Sequence, residues 1–130
     1  MATKIQSESD KRLIVKGSIN GKDAYLLIDT GASAGLLHSK VVKKYNLDVN
    51  KAHSVNMVGA GGEFKAYLCK TPLMLSGKPM YQFLIADISS VVESIRRQTG
   101  IEIAGLISLS QAKMIGMSID TDDNYVTLEK

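Results

Sequence analysis

The stretch that most constrains this chain is Leu26–Ser33, where apolar residues lead directly into an acid, a hydroxyl and a glycine. The apolar run predicts a buried strand, and Gly31 predicts the turn that ends it. This strand brings the Asp29 carboxylate to the edge of the core, where little water can solvate it. A buried carboxylate without partners is costly, so we expect Asp29 to be hydrogen-bonded, protonated or catalytic. The structural alternative is an Asx-type turn, in which Asp29 only bonds nearby backbone N–H groups.

Length and charge narrow the class of protein. A chain of 130 residues predicts one domain with a single core. The net charge of +3 is scattered along the chain, so we expect no nucleic-acid partner. The single cysteine, Cys69, cannot form an intramolecular disulfide, and no apolar run approaches membrane-spanning length. We therefore expect no membrane association and, with no signal peptide after Met1, a cytoplasmic protein.

The pattern of short apolar and β-branched runs predicts a mostly β fold with short helices. Arg12–Ile19 and Lys22–Ile28 flank Asn20-Gly21, the strongest two-residue hairpin signal. Residues 1–11 are small and polar, which predicts a flexible N-terminal arm before a domain of residues 12–130. Helices are predicted at Lys40–Tyr45, Asp87–Gln98 and Leu109–Ile115, with Ser39 as an N-cap and Ser90–Glu93 as a capping box.

Three features superficially suggest ligand or metal sites. The glycines of 59–62 lack the following helix and the Lys-Ser/Thr of a P-loop, so they predict a hairpin whose bare backbone approaches a ligand closely. The acidic turn Thr121–Asn124 lacks the glycine and the glutamate of a calcium loop. His38 has no cysteine or second histidine beside it, so no metal is expected.

Three motifs in one order give the chain a resemblance to the retroviral-type aspartic proteases, the retropepsins and their bacterial relatives. The motifs are the turn Asp29, Thr30, Gly31, Ala32 and Ser33, the hairpin Met57, Val58, Gly59, Ala60, Gly61 and Gly62, and the segment Ile103, Ala104 and Gly105 before a short helix. The resemblance spans residues 12–128. It implies a closed acid-protease β-barrel in which Asp29 is catalytic and the four residues after it support the active site. It also implies that the hairpin is a substrate-binding flap and that the third segment threads behind the catalytic loop.

The same resemblance implies a mechanism and a partner. Hydrolysis without a cofactor uses a water activated between two carboxylates, about 3 Å apart, that share a proton. This chain has one Asp-Thr-Gly, so the implied enzyme is a homodimer in which each subunit contributes Asp29. The implied reaction is endoproteolysis of an extended peptide or protein substrate. Val58, Ala60, Leu84 and Ile107 are predicted to line apolar pockets for side chains beside the scissile bond.

The chain departs from the family pattern at two places, and we therefore consider a second function. Asp87–Thr99 is an insertion that retroviral members rarely carry, although bacterial relatives often do. Leu106-Ile107-Ser108 occupies the position where many relatives have a second glycine and an acid. The alternative is a peptide-binding or dimerisation module that keeps the fold with little or no proteolysis. The intact Asp29-Thr30-Gly31 turn favours the enzyme, because a binding module has no need for two facing acids.

Overall fold

The computed structural model describes residues 2–59 and 62–129. About half of these residues lie in strands, and three short α-helices and one turn of 3₁₀ helix, Ser39–Val41, connect the strands. The strands are β1 (Thr3–Gln6), β2 (Ile14–Ile19), β3 (Lys22–Asp29), β4 (Gly35–His38), β5 (Val49–Gly59), β6 (Gly62–Cys69), β7 (Leu73–Leu75), β8 (Lys78–Met80), β9 (Phe83–Ala86), β10 (Gly105–Ser108), β11 (Met117–Asp120) and β12 (Tyr125–Leu128). The helices are α1 (Val42–Tyr45), α2 (Ser89–Thr99) and α3 (Leu109–Met114). The mostly β class is therefore confirmed.

The predicted hairpin of β2 and β3 is present. Asn20 and Gly21 have φ values of 50° and 82°, the left-handed conformations that a tight two-residue turn between twisted strands requires. The two strands pair antiparallel from Ile19↔Lys22 to Ile14↔Leu27. Asp29 is the last residue of β3, two residues beyond the end of this pairing with β2.

Nine strands form one sheet in the order β5-β6-β9-β4-β10-β3-β2-β7-β8. Near its centre, β10 runs parallel to β3 and antiparallel to β4, while β4 runs parallel to β9. The sheet is open, so the expected closure into a barrel is not found in the described chain. Closure would require the end strands β5 and β8 to pair, but β8 is three residues long and pairs with β7.

The central strand β3 is buried on both faces, which explains its unbroken apolar run. Leu26 and Ile28 belong to one hydrophobic cluster, and Leu27 belongs to a second cluster on the other face. The second cluster also contains Val92 and Ile95 of α2, so the inserted helix covers that face of the sheet. No helix among residues 2–59 and 62–129 is long and apolar enough to cross a membrane.

Part of the segment expected to be a flexible N-terminal arm, Thr3–Gln6, forms a strand. β1 pairs antiparallel with β12, with Ile5 opposite Val126, in a second sheet of order β1-β12-β11. Ile5 packs against the core, and the Lys4 ammonium lies 4.2 Å from the centre of the Tyr125 ring. Burial alternates along this strand: Thr3 and Ile5 are half-buried, while Lys4 and Gln6 are exposed. The mostly polar composition of the segment does not reveal this alternation.

Two expected helix caps are wrong. Ser39 is the first residue of the 3₁₀ helix and makes no capping hydrogen bond. Helix α2 begins at Ser89, so Ser90 is not its N-cap, and the predicted box with Glu93 is absent. Instead, the Asp87 carboxylate accepts hydrogen bonds from the backbone N–H and the hydroxyl of Ser89, which lower the pKa of that carboxyl. The start of the helix is thus fixed by an Asx-type turn.

Candidate active site

Asp29 lies on a tight turn at the end of β3. The Ala32 N–H donates to the Asp29 carbonyl oxygen at 3.1 Å, and the Gly31 N–H donates to the Asp29 carboxylate at 3.1 Å. The carboxylate is half-buried, while Thr30, Gly31 and Ser33 are exposed. The bond from the Gly31 N–H to the Asp29 side chain makes this an Asx-type turn, and it orients the acid at the end of the strand.

The carboxylate of Asp29 has few partners within its own chain. Its second oxygen accepts no hydrogen bond from the described residues, and neither of the two ion pairs found among them involves this acid. No group of three or more metal-ligating side chains occurs in the described parts of the chain. The turn therefore presents one carboxylate oxygen that is available to water, to substrate or to another chain.

The segment Ile103–Gly105 lies between β3 and β4 and leads into β10. The Ala104 N–H donates to the Tyr25 carbonyl at 2.7 Å, and the His38 N–H donates to the Ala104 carbonyl at 2.8 Å. At Gly105 a Cβ would stand 2.1 Å from the Leu36 carbonyl oxygen, so only glycine fits between these backbones. The segment joins the two strands on either side of the Asp29 turn into one rigid frame.

Gln111 is a buried residue near the Asp29 turn that was not predicted from the sequence. Ser108 faces Asp29 in the register of β10 and β3, and it is the N-cap of α3. Its hydroxyl accepts from the Gln111 N–H while the Gln111 side chain accepts from the Ser108 N–H, which makes a capping box. Gln111 also donates to the Tyr81 carbonyl at 2.9 Å. The Ser-x-x-Gln spacing was visible in the sequence and could have identified this cap.

Gly35 completes this support. A Cβ at Gly35 would lie 1.9 Å from the Gln111 side-chain oxygen, so the amide packs directly against the bare backbone at the start of β4. The Gln111 side chain is 2% exposed. It therefore links the end of β10, the start of β4 and the segment that carries Tyr81, all next to the Asp29 turn.

The predicted glycine-rich hairpin is formed by β5 and β6. Met57 pairs with Phe64, Val58 with Glu63, and Gly59 with Gly62. Val58 is 79% exposed, the most exposed of the large apolar side chains described. Ala60 and Gly61 lie outside the described residues. Of the four residues expected to line substrate pockets, Leu84 is half-buried, but Ile107 is fully buried in the core and cannot serve this purpose in the single chain.

Solved structures with the same fold place this arrangement in context. A retropepsin-like aspartic protease from Rickettsia conorii matches with a TM-score of 0.65 and 20% identity, over 98% of this chain and 89% of that one. EIAV protease in complex with the inhibitor HBY-793 matches with a TM-score of 0.63 and 16% identity, over 89% and 99%. The retroviral protease-like domain of Ddi1 from Leishmania major matches with a TM-score of 0.56 and 19% identity, over 91% and 85%. These likenesses show a retropepsin-like fold.

Comparison at the level of sequence agrees with the fold. No curated protein matches the chain. The family model described as aspartyl protease matches residues 15–119, which include the Asp29 turn, the β5–β6 hairpin and the Ile103–Gly105 segment. Because the model spans most of the sequence, the chain belongs to the aspartyl protease family.

Proposed function

We propose that the protein is an aspartic endopeptidase whose active site forms between two copies of the chain. The observation that carries the proposal is the Asp29 turn, which holds one half-buried carboxylate at the surface with an oxygen unused by the described residues. The chain has one apolar-Asp-Thr-Gly stretch, and a shared-proton mechanism needs two carboxylates. A second copy, related by a two-fold axis, supplies the second one.

The chemistry follows from two carboxylates that share one proton. The ionised carboxylate takes a proton from a bound water, whose oxygen attacks the peptide carbonyl carbon. The protonated carboxyl gives its proton to the carbonyl oxygen, and a proton then passes to the leaving amine as the C–N bond breaks. In this proposal the Gly31 N–H keeps Asp29 oriented, and the Thr30 hydroxyls bond across the two-fold axis.

The β5–β6 hairpin is proposed as the flap that covers the substrate. An extended peptide can add to exposed strand edges through its own backbone, which suits a cleft between strands. The exposed Val58 side chain then supplies apolar contact near the tip of the hairpin. Apolar residues on either side of the scissile bond are the preferred substrate class.

The second sheet offers a surface for the dimer. Its order β1-β12-β11 leaves an outer edge on β1 and on β11 without a strand partner in the described chain. Unpaired strand edges favour pairing with another chain. Pairing of two such sheets about a two-fold axis would give the symmetric dimer that the mechanism requires.

The test is cleavage of a peptide library by the wild type and by Asp29→Asn, with products mapped by mass spectrometry. We expect cleavage by the wild type, inhibition by a statine-type transition-state mimic, and no cleavage by the variant. Both proteins should show the same circular dichroism and melting temperature. Saturable peptide binding without any cleavage by the wild type would instead support the peptide-binding module.

A further inference from the structure

A cavity of about 440 Å³ lies at the base of the β5–β6 hairpin. It is bounded by the start of β5, the end of β6, β9 and the helical turns that follow β4. None of its lining residues belongs to the Asp29–Gly35 turn. Its volume lies within the usual range for pockets that bind small molecules.

The floor of the cavity is apolar. Val42, Val49 and Tyr67 are half-buried and pack against the core cluster that contains Ile85, which also lines the cavity. The Tyr67 hydroxyl has no hydrogen-bond partner among the residues described. An apolar body placed here would remove this surface from water, while one polar group would remain available at its edge.

The rim of the cavity is cationic. Lys40, Lys43 and Lys51 line it, and no aspartate or glutamate does. Neither ion pair of the described chain uses these lysines. Asp87 lies near Lys40 but outside the cavity, and its carboxyl pKa is lowered mainly by Ser89 and only to a smaller extent by Lys40. Three lysine side chains beside an apolar floor are complementary to a ligand that is apolar with one anionic end.

We propose that this cavity binds a small amphipathic carboxylate, with its apolar body on Val42, Val49 and Tyr67 and its carboxylate among the three lysines. The ligand would contact both the helical turn that carries Lys43 and the strand that carries Lys51. The pairing of β5 with β6 is irregular between Asn50 and Ser54, a stretch that includes Lys51. Occupancy would therefore restrain the base of the hairpin.

The test uses decanoate as the probe and decanol as its uncharged counterpart, measured by calorimetric titration at low ionic strength. We expect saturable binding of one decanoate per chain and much weaker binding of decanol. The triple variant Lys40→Gln, Lys43→Gln, Lys51→Gln should weaken decanoate binding about tenfold, since exposed ion pairs contribute modestly and add together here. Lys11→Gln, Lys16→Gln, Lys113→Gln is the matched control, because it removes the same charge from lysines outside the cavity.

Two further measurements locate the ligand. Val49→Trp should fill the cavity and abolish binding while leaving all three lysines in place, with folding checked by circular dichroism. Hydrogen exchange of the backbone between Asn50 and Ser54 should slow when decanoate is bound. Equal binding of decanoate and decanol, equal loss in both triple variants, or no saturable binding would overturn the proposal. None of these measurements depends on peptide cleavage, so the result stands apart from the proposed enzyme function.

Discussion

The frame behind Asp29 depends on a residue that has no side chain. A Cβ at Gly105 would stand 2.1 Å from the Leu36 carbonyl oxygen, and backbone atoms cannot move aside as a flexible side chain can. We predict that Gly105→Ala lowers the free energy of unfolding by about 1–3 kcal/mol, the usual cost of overpacking. Urea denaturation measures this change, and any peptidase activity should fall with it.

Gly31→Ala is the matched control for this prediction. A Cβ at Gly31 would meet only the Asp29 carboxylate at 3.5 Å, an ordinary contact distance. We therefore expect an unfolding free energy within about 0.5 kcal/mol of the wild type, as for other substitutions without a destabilising mechanism. Turnover should still fall if this turn meets the substrate. A destabilisation equal to that of Gly105→Ala would contradict the role given to the close approach at Gly105.

The second prediction concerns how much the buried amide of Gln111 contributes to the free energy of unfolding. Gln111→Ala removes partners from the Ser108 N–H and the Tyr81 carbonyl and leaves a void beside Gly35. We expect a loss of about 1–3 kcal/mol in unfolding free energy, since buried polar groups are left unsatisfied. Gln98→Ala, which removes an exposed hydrogen bond to Arg12, should change stability by less than about 0.5 kcal/mol. Equal effects of the two substitutions in thermal and urea unfolding would refute this account.

At the scale of elements, short sequence motifs predicted a strand or a hairpin correctly where the residues that form it are adjacent in the sequence. Asn20-Gly21 fixed the β2–β3 hairpin because both residues accept positive φ, and the apolar run before Asp29 identified a strand buried on both faces. β1 was missed because its partner, β12, lies at the other end of the chain. A short polar segment gains the contacts that order it only through tertiary structure.

Two candidate capping boxes also show that sequence spacing alone does not predict tertiary contacts. Ser90–Glu93 and Ser108–Gln111 have the same spacing, but only the second forms. Gln111 is buried against Gly35 and Tyr81, whereas Glu93 is drawn to Arg96 on the exposed face of α2. Spacing alone cannot distinguish these cases, because the outcome depends on what each side chain meets in the folded chain.

Asp120, at the start of the β11–β12 turn, is predicted to stabilise the protein in a pH-dependent way. The backbone N–H of Asp123 lowers the pKa of the Asp120 carboxyl, and the Tyr125 hydroxyl and the Asp122 N–H act in the same direction. Because the folded-state pKa lies below the unfolded value of about 3.9, the stabilisation is complete above that value and is lost as pH falls through the folded-state pKa. Asp120→Ala should therefore destabilise the protein more at pH 7 than at pH 3.

Urea midpoints at the two pH values measure the difference. Asp10→Ala is the control, because the Asp10 side chain makes no hydrogen bond with described residues. Its effect should be small at both pH values. An Asp120→Ala effect of the same size at pH 7 and pH 3 would show that the carboxylate charge does not stabilise the turn.

At the scale of the whole molecule, the described chain has an open nine-stranded sheet, a second sheet whose two outer edges have no strand partner among the described residues, and the Asp29 turn, which is exposed at Thr30, Gly31 and Ser33. The sequence indicated the family and the Asp29 turn, because short motifs are enough to recognise both. It could not indicate the open sheet, since closure depends on whether the end strands β5 and β8 meet in space. The proposed function requires that this chain be half of an active site.

That requirement is tested by mixing wild-type and Asp29→Asn chains. A mixed dimer has one carboxylate and cannot complete the shared-proton cycle, because groups that act as a unit fail together. With free exchange of subunits, well above the dimer dissociation constant, activity should follow the square of the wild-type fraction, so an equal mixture keeps about a quarter of full activity. Thr30→Ala should weaken the dimer and give activity that recovers as protein concentration rises. Native mass spectrometry confirms exchange, and a straight line of activity against wild-type fraction would show that each chain carries a complete site of its own.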